Sequence, residues 1–79
     1  MKKKKKQLRG EEIDEKILEY LSGLELTATT EMVAKELGIA WYTAQMHLIK
    51  LKDEGKIRVY RTGRQLQWIL SERIERMNK

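Results

Sequence analysis

The stretch GIAWYTAQMHLIKLKDEGKI, residues 38–57, holds one helix with two apolar stripes. Ala44, His47, Leu48 and Leu51 recur at spacings of three and four, which turns them together toward a core. At 100° per residue, Tyr42, Met46 and Ile49 fall on the opposite side, where a small domain ordinarily displays charge. Glycines bracket the segment: Gly38 suits the left-handed turn that ends a preceding helix, and Gly55 closes this one. The spacing predicts helix over residues 40–54. Its second stripe then needs an explanation, and two are open: a nucleic-acid groove or a protein partner.

Reading toward the N-terminus, Val33, Ala34 and Leu37 mark a short helix over residues 31–37, with Thr29 or Thr30 as its N-cap. Residues 24–29 read as an extended link. Before them, Ile13, Ile17, Tyr20, Leu21 and Leu24 recur at helical spacing over residues 11–22, with acids in the first turn where the helix dipole favours them. Leu18 lies off that stripe. Toward the C-terminus the period changes to two: in KIRVYRTGRQLQWIL, residues 56–70, Ile57 and Val59 alternate with Arg58 and Tyr60, and Leu66, Trp68 and Leu70 with Gln67 and Ile69. A two-residue loop of Gly63 and Arg64, glycine first as in a type II′ turn, pairs Val59 with Trp68 and Ile57 with Leu70. A slip of one residue would set Val59 against Gln67, so the even loop is expected. Ser71 is placed to cap a short final helix carrying Ile74 and Met77.

The chain has 79 residues and a net charge of +5, with no cysteine and one histidine. That is one domain with little buried surface. It has no disulfide framework and too few soft ligands for structural zinc. No apolar run approaches the roughly 20 residues of a membrane span, so a soluble, intracellular protein is expected. Charge is distributed unevenly. Lys2, Lys3, Lys4, Lys5, Lys6 and Arg9 form a basic tail without acids, which predicts disorder over residues 1–10 ahead of a domain over 11–79. Residues 10–37 are strongly acidic, and in residues 38–68 the cations Lys50, Lys52, Lys56, Arg58, Arg61 and Arg64 face only Asp53 and Glu54. A positive half with a positive tail points to a polyanion. Six tail charges on phosphates would give log affinity a slope of about −5 against log salt.

Helix, helix, glycine turn, helix and a hairpin with a basic tip resemble a winged helix-turn-helix domain over residues 11–70. The segment TTEMVAKELGIAWYTAQMHLIKLKDEGKI carries the likeness, and WYTAQMHLIKL within it is similar to small archaeal and archaeal-virus regulators of that class. The resemblance implies an α+β fold: a three-helix core, a two-stranded β-hairpin wing and a short C-terminal helix. It also implies that the third helix enters the major groove of double-stranded DNA while the wing, residues 57–70, follows the backbone or minor groove. Gln45 would then make a bidentate contact with adenine, with Trp41, Tyr42 and Thr43 near base edges or phosphates. Met46 and Ile49 would meet thymine methyls, and Lys50, Arg58, Arg61, Arg64 and Gln65 the backbone. Two departures stand out. Ala40 replaces the usual Ser, Thr or Asp cap of the third helix, a loss of about 1 kcal/mol. The Z-DNA-binding branch carries Asn and Tyr where this chain has Gln45 and Ile49, together with paired prolines that are absent here, which argues against that branch.

The expected function is therefore a DNA-binding transcription regulator in the cytoplasm, associated with the nucleoid. A sequence-tolerant chromatin or plasmid DNA-binding protein and a winged-helix protein-interaction adaptor are the alternatives. One module reads few base pairs, so a homodimer on two half-sites is expected, with Leu18, Ile74 and Met77 as interface candidates. The single histidine faces the core, no cysteine is present, and the five glycines are isolated, so no enzyme, cofactor, metal or small-molecule ligand is expected. His47, on the core side of its helix, reads as a structural histidine, and Glu11, Glu12, Asp14 and Glu15 as a solvated acidic turn.

Overall fold

The computed structural model describes residues 9–73. Helix α1, Gly10–Ser22, starts one residue earlier than its spacing predicts, because Glu12 reaches back to accept the Arg9 amide at 2.9 Å. Helix α2, Thr30–Leu37, is capped by Thr29, whose Oγ1 accepts the Met32 amide at 3.2 Å. It ends in a Schellman motif. Gly38 takes φ +70°, its amide donates to Lys35, and the Ile39 amide donates to Ala34 at 3.0 Å. Helix α3, Trp41–Asp53, follows after the three residues Gly38, Ile39 and Ala40 and closes in the same way at Gly55. As expected, Ala40 offers it no side-chain cap.

The hairpin has the register read from the sequence. Strands β2, Ile57–Thr62, and β3, Gln65–Leu70, pair Ile57 with Leu70, Val59 with Trp68 and Thr62 with Gln65. Gly63 has φ +64° and, among the described residues, no non-glycine residue has positive φ, the pattern of type II′ and not of I′. The extended link contains something the sequence does not announce. Ala28–Thr29 form a strand of their own, antiparallel to β3, so the sheet has three strands with the hairpin's second strand in the middle. In chain order this first strand is β1. It covers an edge of β3 that would otherwise be open, and Thr27 adds a bond from its hydroxyl to Gln67 Oε1 at 2.6 Å.

Inside the angle between helices and sheet lie Ile13, Ile17 and Leu21 of α1, Val33 and Ala34 of α2, Ala44, Leu48 and Leu51 of α3, Ala28, Ile57 and Trp68. Trp68 is the largest, and its register neighbours Val59 and Ala28 flank it across the sheet. Packing on Trp68 fixes the wing against the helices. Ser71–Arg73 begin a helical turn, but the Ser71 hydroxyl is buried with no hydrogen-bond partner among the described residues, so it does not cap that turn as expected. Ile74 and Met77 lie outside the described residues, as do Lys2 to Lys6 and with them most of the basic tail. The architecture is the α+β winged helix-turn-helix that the element order predicts, enlarged by one short strand.

Candidate nucleic-acid interface

Because Ala44, Leu48 and Leu51 are buried, the opposite side of α3 is forced outward. Tyr42 is 68% exposed, Met46 52% and Ile49 40%. Trp41, which the helical wheel sets beside Leu48, is also exposed, at 52%. Four large apolar side chains thus stand on one helix in contact with solvent.

Between the start of α2, the start of α3 and the wing lies a cleft of about 260 Å³. Trp41, Gln45, Arg61, Arg64 and Gln65 line it, joined by Thr29, Thr30, Glu31 and Leu66. Five residues from distant parts of the sequence reading therefore share one surface. Others do not. Tyr42, Met46 and Ile49 lie on the outer side of α3. Arg58 belongs to the other face of the wing, because side chains alternate along β2 and Ile57, Val59 and Arg61 take the side toward α3.

The positive charges also separate. Lys52 pairs with Asp53 at 3.3 Å and Lys56 with Glu54 at 3.5 Å. Lys50, expected on phosphate, gives its ammonium to Asp14 Oδ2. No ion pair engages Arg58, Arg61 or Arg64 among the described residues, so the wing arginines are available to a ligand.

Asp14 corrects the reading of a solvated acidic turn. It follows Ile13 on the edge of the buried face, and α3 crosses there, so its side chain is only 15% exposed. His47 Nδ1 donates to its Oδ1 at 2.8 Å, which gives the half-buried histidine a structural role. Desolvation alone would raise the Asp14 carboxyl, but the hydrogen bonds and charges of Lys50 and His47 outweigh it and hold the group below its ordinary 3.8. The same bond raises Lys50 against a smaller opposing desolvation, and the charges of Asp14, Glu54 and Glu11 add to it. A lowered carboxyl stabilises the fold fully above 3.8 and loses that contribution as pH falls through its folded value. Urea midpoints between pH 6 and pH 2 should therefore show an acid limb that Asp14→Asn flattens. Equal limbs in both proteins would show that the α1–α3 pair adds nothing.

Sequence reasoning missed one group altogether. Trp68 Nε1 donates to Thr30 Oγ1 at 2.9 Å, and Thr30 Oγ1 lies 2.9 Å from Gln45 Oε1. The signal was present in principle: a buried indole has only a donor and must find an acceptor. Which acceptor it finds depends on tertiary contacts between residues far apart in the chain.

The family model described as FaeA-like protein matches residues 13–72. No curated protein matches the chain. Among solved structures, the ORF112-Zalpha domain of Cyprinid Herpesvirus 3, studied for its binding to Z-DNA, is 28% identical with a TM-score of 0.64. That match covers 76% of this chain and 93% of that one. A HOP2 chain, from a study of its DNA recognition and protein interaction domains, is 26% identical with a TM-score of 0.65. It covers 73% of this chain and 97% of that one. The viral domain comes from the Z-DNA-binding branch, from whose pattern this chain departs at Gln45, Ile49 and the missing prolines.

Proposed function

We propose, from the premise that the chain belongs to the FaeA-like family, that it is a DNA-binding transcription regulator with α3 in the major groove and the wing beside it. The observation that carries this reading is the cleft, where Gln45 of α3 meets Arg61 and Arg64 of the wing. A duplex presents base edges beside phosphates, so one surface supplies both readout and charge. The exposed Tyr42, Met46 and Ile49 then contact thymine methyls and sugars, which favours A·T-rich sites. The likeness to a Z-DNA-binding domain and to a chain with a DNA recognition domain supports the same class of ligand.

Lys2 to Lys6 extend the charged surface along phosphates. Two copies on half-sites about one helical turn apart would supply the specificity a single module lacks, with Leu18, Ile74 and Met77 at their contact. Leu18 suits this role: it is only partly buried, in a groove of about 680 Å³ between α1 and the end of β3. No helix among the described residues is long and apolar enough to cross a membrane, and a nucleoid location in the cytoplasm follows from the ligand.

The same exposed stripe supports a second reading, a winged-helix adaptor that docks protein through Tyr42, Met46 and Ile49. Selection from random duplexes with the full chain decides between them. A regulator enriches a defined motif, and Gln45→Ala flattens its preference at one position while leaving overall affinity within about tenfold. A sequence-tolerant binder enriches nothing yet retains duplexes, an adaptor retains none, and conversion of an alternating C·G duplex to the left-handed circular-dichroism signature would reveal a Z-DNA binder.

A further inference from the structure

We propose that Thr30 is a positioning residue that holds the Gln45 carboxamide with its nitrogen outward, so that Gln45 reads hydrogen-bond acceptors on a base edge and does not grip adenine in bidentate fashion. This rests on the DNA reading above and specifies what its central side chain can recognise.

The argument begins at Trp68. Its indole nitrogen can only donate, the side chain is 1% exposed, and the acceptor 2.9 Å away is Thr30 Oγ1. Thr30 is itself buried, so its hydroxyl hydrogen needs an acceptor inside the protein. Gln45 Oε1, at 2.9 Å, is that acceptor. Turning the carboxamide over would aim an amide donor at the hydroxyl and leave the Thr30 hydrogen without this acceptor. The indole thus fixes the direction of the hydroxyl, and the hydroxyl fixes the direction of the amide.

Gln45 lines the cleft, so the free end of its amide faces the proposed ligand with two N–H donors. In the major groove such donors match N7 and O6 of guanine or O4 of thymine. Bidentate reading of adenine needs the oxygen as well as the nitrogen at the base edge. Releasing that oxygen would strand the buried Thr30 hydroxyl, a handicap of about tenfold or more in affinity. The helix cap is not involved, since Thr29 supplies it.

The experiment compares the full chain with Thr30→Val and Gln45→Glu on a duplex panel varying the base pair opposite Gln45. Valine keeps the shape and removes the hydroxyl. Glutamate keeps an oxygen for Thr30 and turns the outward donor into an acceptor. The wild type should favour guanine or thymine over adenine by about tenfold. Thr30→Val should bring adenine within about threefold of the best base, and Gln45→Glu should shift preference to cytosine, whose N4 donates. A wild type that prefers adenine, or a preference indifferent to Thr30→Val, overturns the proposal. The tether has its own readout free of DNA. The Trp68 indole and Gln45 amide resonances should both shift in Thr30→Val, and an unmoved Gln45 amide overturns the tether. If no duplex is bound while both resonances move, the DNA reading has failed and the base preference with it, but the tether stands.

Discussion

Trp68→Ala should lower the unfolding free energy by about 3 to 5 kcal/mol, the range for removing a large buried aromatic. Domains of this length have roughly 4 to 12 kcal/mol in total, so the loss is a large share of the stability. Three losses coincide at this position. The ring lies between its register neighbours Val59 and Ala28 and is the largest fully buried side chain of the core. Its indole is also a hydrogen-bond partner of Thr30. Finally, β3 is the central strand, so loosening it loosens both neighbours. Trp68→Phe separates these effects: it retains most of the ring, removes the donor, and should cost about 1 to 2 kcal/mol. Chemical denaturation followed by far-ultraviolet circular dichroism measures both. A loss below about 1 kcal/mol for the alanine variant would show that the wing is not anchored through this residue.

Why the fold was largely legible from sequence follows from where its information lies. α3 was readable because Ala44, Leu48 and Leu51 repeat the helical period, and its ends were readable because a Schellman closure needs a left-handed residue that glycine supplies. The hairpin register was readable because parity permits few solutions: only an even loop puts Val59 opposite Trp68. The strand at Ala28–Thr29 was not, since two residues carry no period and their pairing depends on β3 presenting an open edge. Asp14 escaped for a related reason. Its sequence neighbours are solvated acids, and only the crossing of α3 over α1 brings His47 and Lys50 to it.

The site was legible as a set of residue types and less so as a surface. Trp41, Gln45, Arg61, Arg64 and Gln65 do converge, but the resemblance also counted Arg58 among them. Alternation along β2 already contained the correction, because Arg58 and Arg61 differ by three positions and so face opposite sides. Lys50 could not be judged from the chain, as its partner is 36 residues away. Gln45 was readable as a polar residue on an exposed turn of helix, whereas the direction of its amide is set by Thr30 and Trp68.

The wing arginines give the second large effect. Arg61→Glu with Arg64→Glu should weaken duplex binding by about a hundredfold or more at 0.1 M salt. Each phosphate contact releases about 0.9 of a counterion, which at that concentration is worth close to a factor of eight, so two lost contacts give roughly sixtyfold. Reversal of sign adds repulsion, and no acid of the wing compensates, because residues 56–67 contain none. The slope of log affinity against log salt should become shallower by about two, which anisotropy titrations from 50 to 300 mM salt resolve. Arg58→Glu is the internal control. Carrying the same charge on the opposite face of the same strand, it should reduce binding by less than about tenfold and alter the slope by less than one. Net charge alone would weigh Arg58 as heavily as either of the others, so equal losses per arginine would mean that the cationic chain attracts duplex without a seated wing. A double variant that binds as the wild type does would move the contact off the wing altogether, leaving the exposed face of α3 to a protein partner.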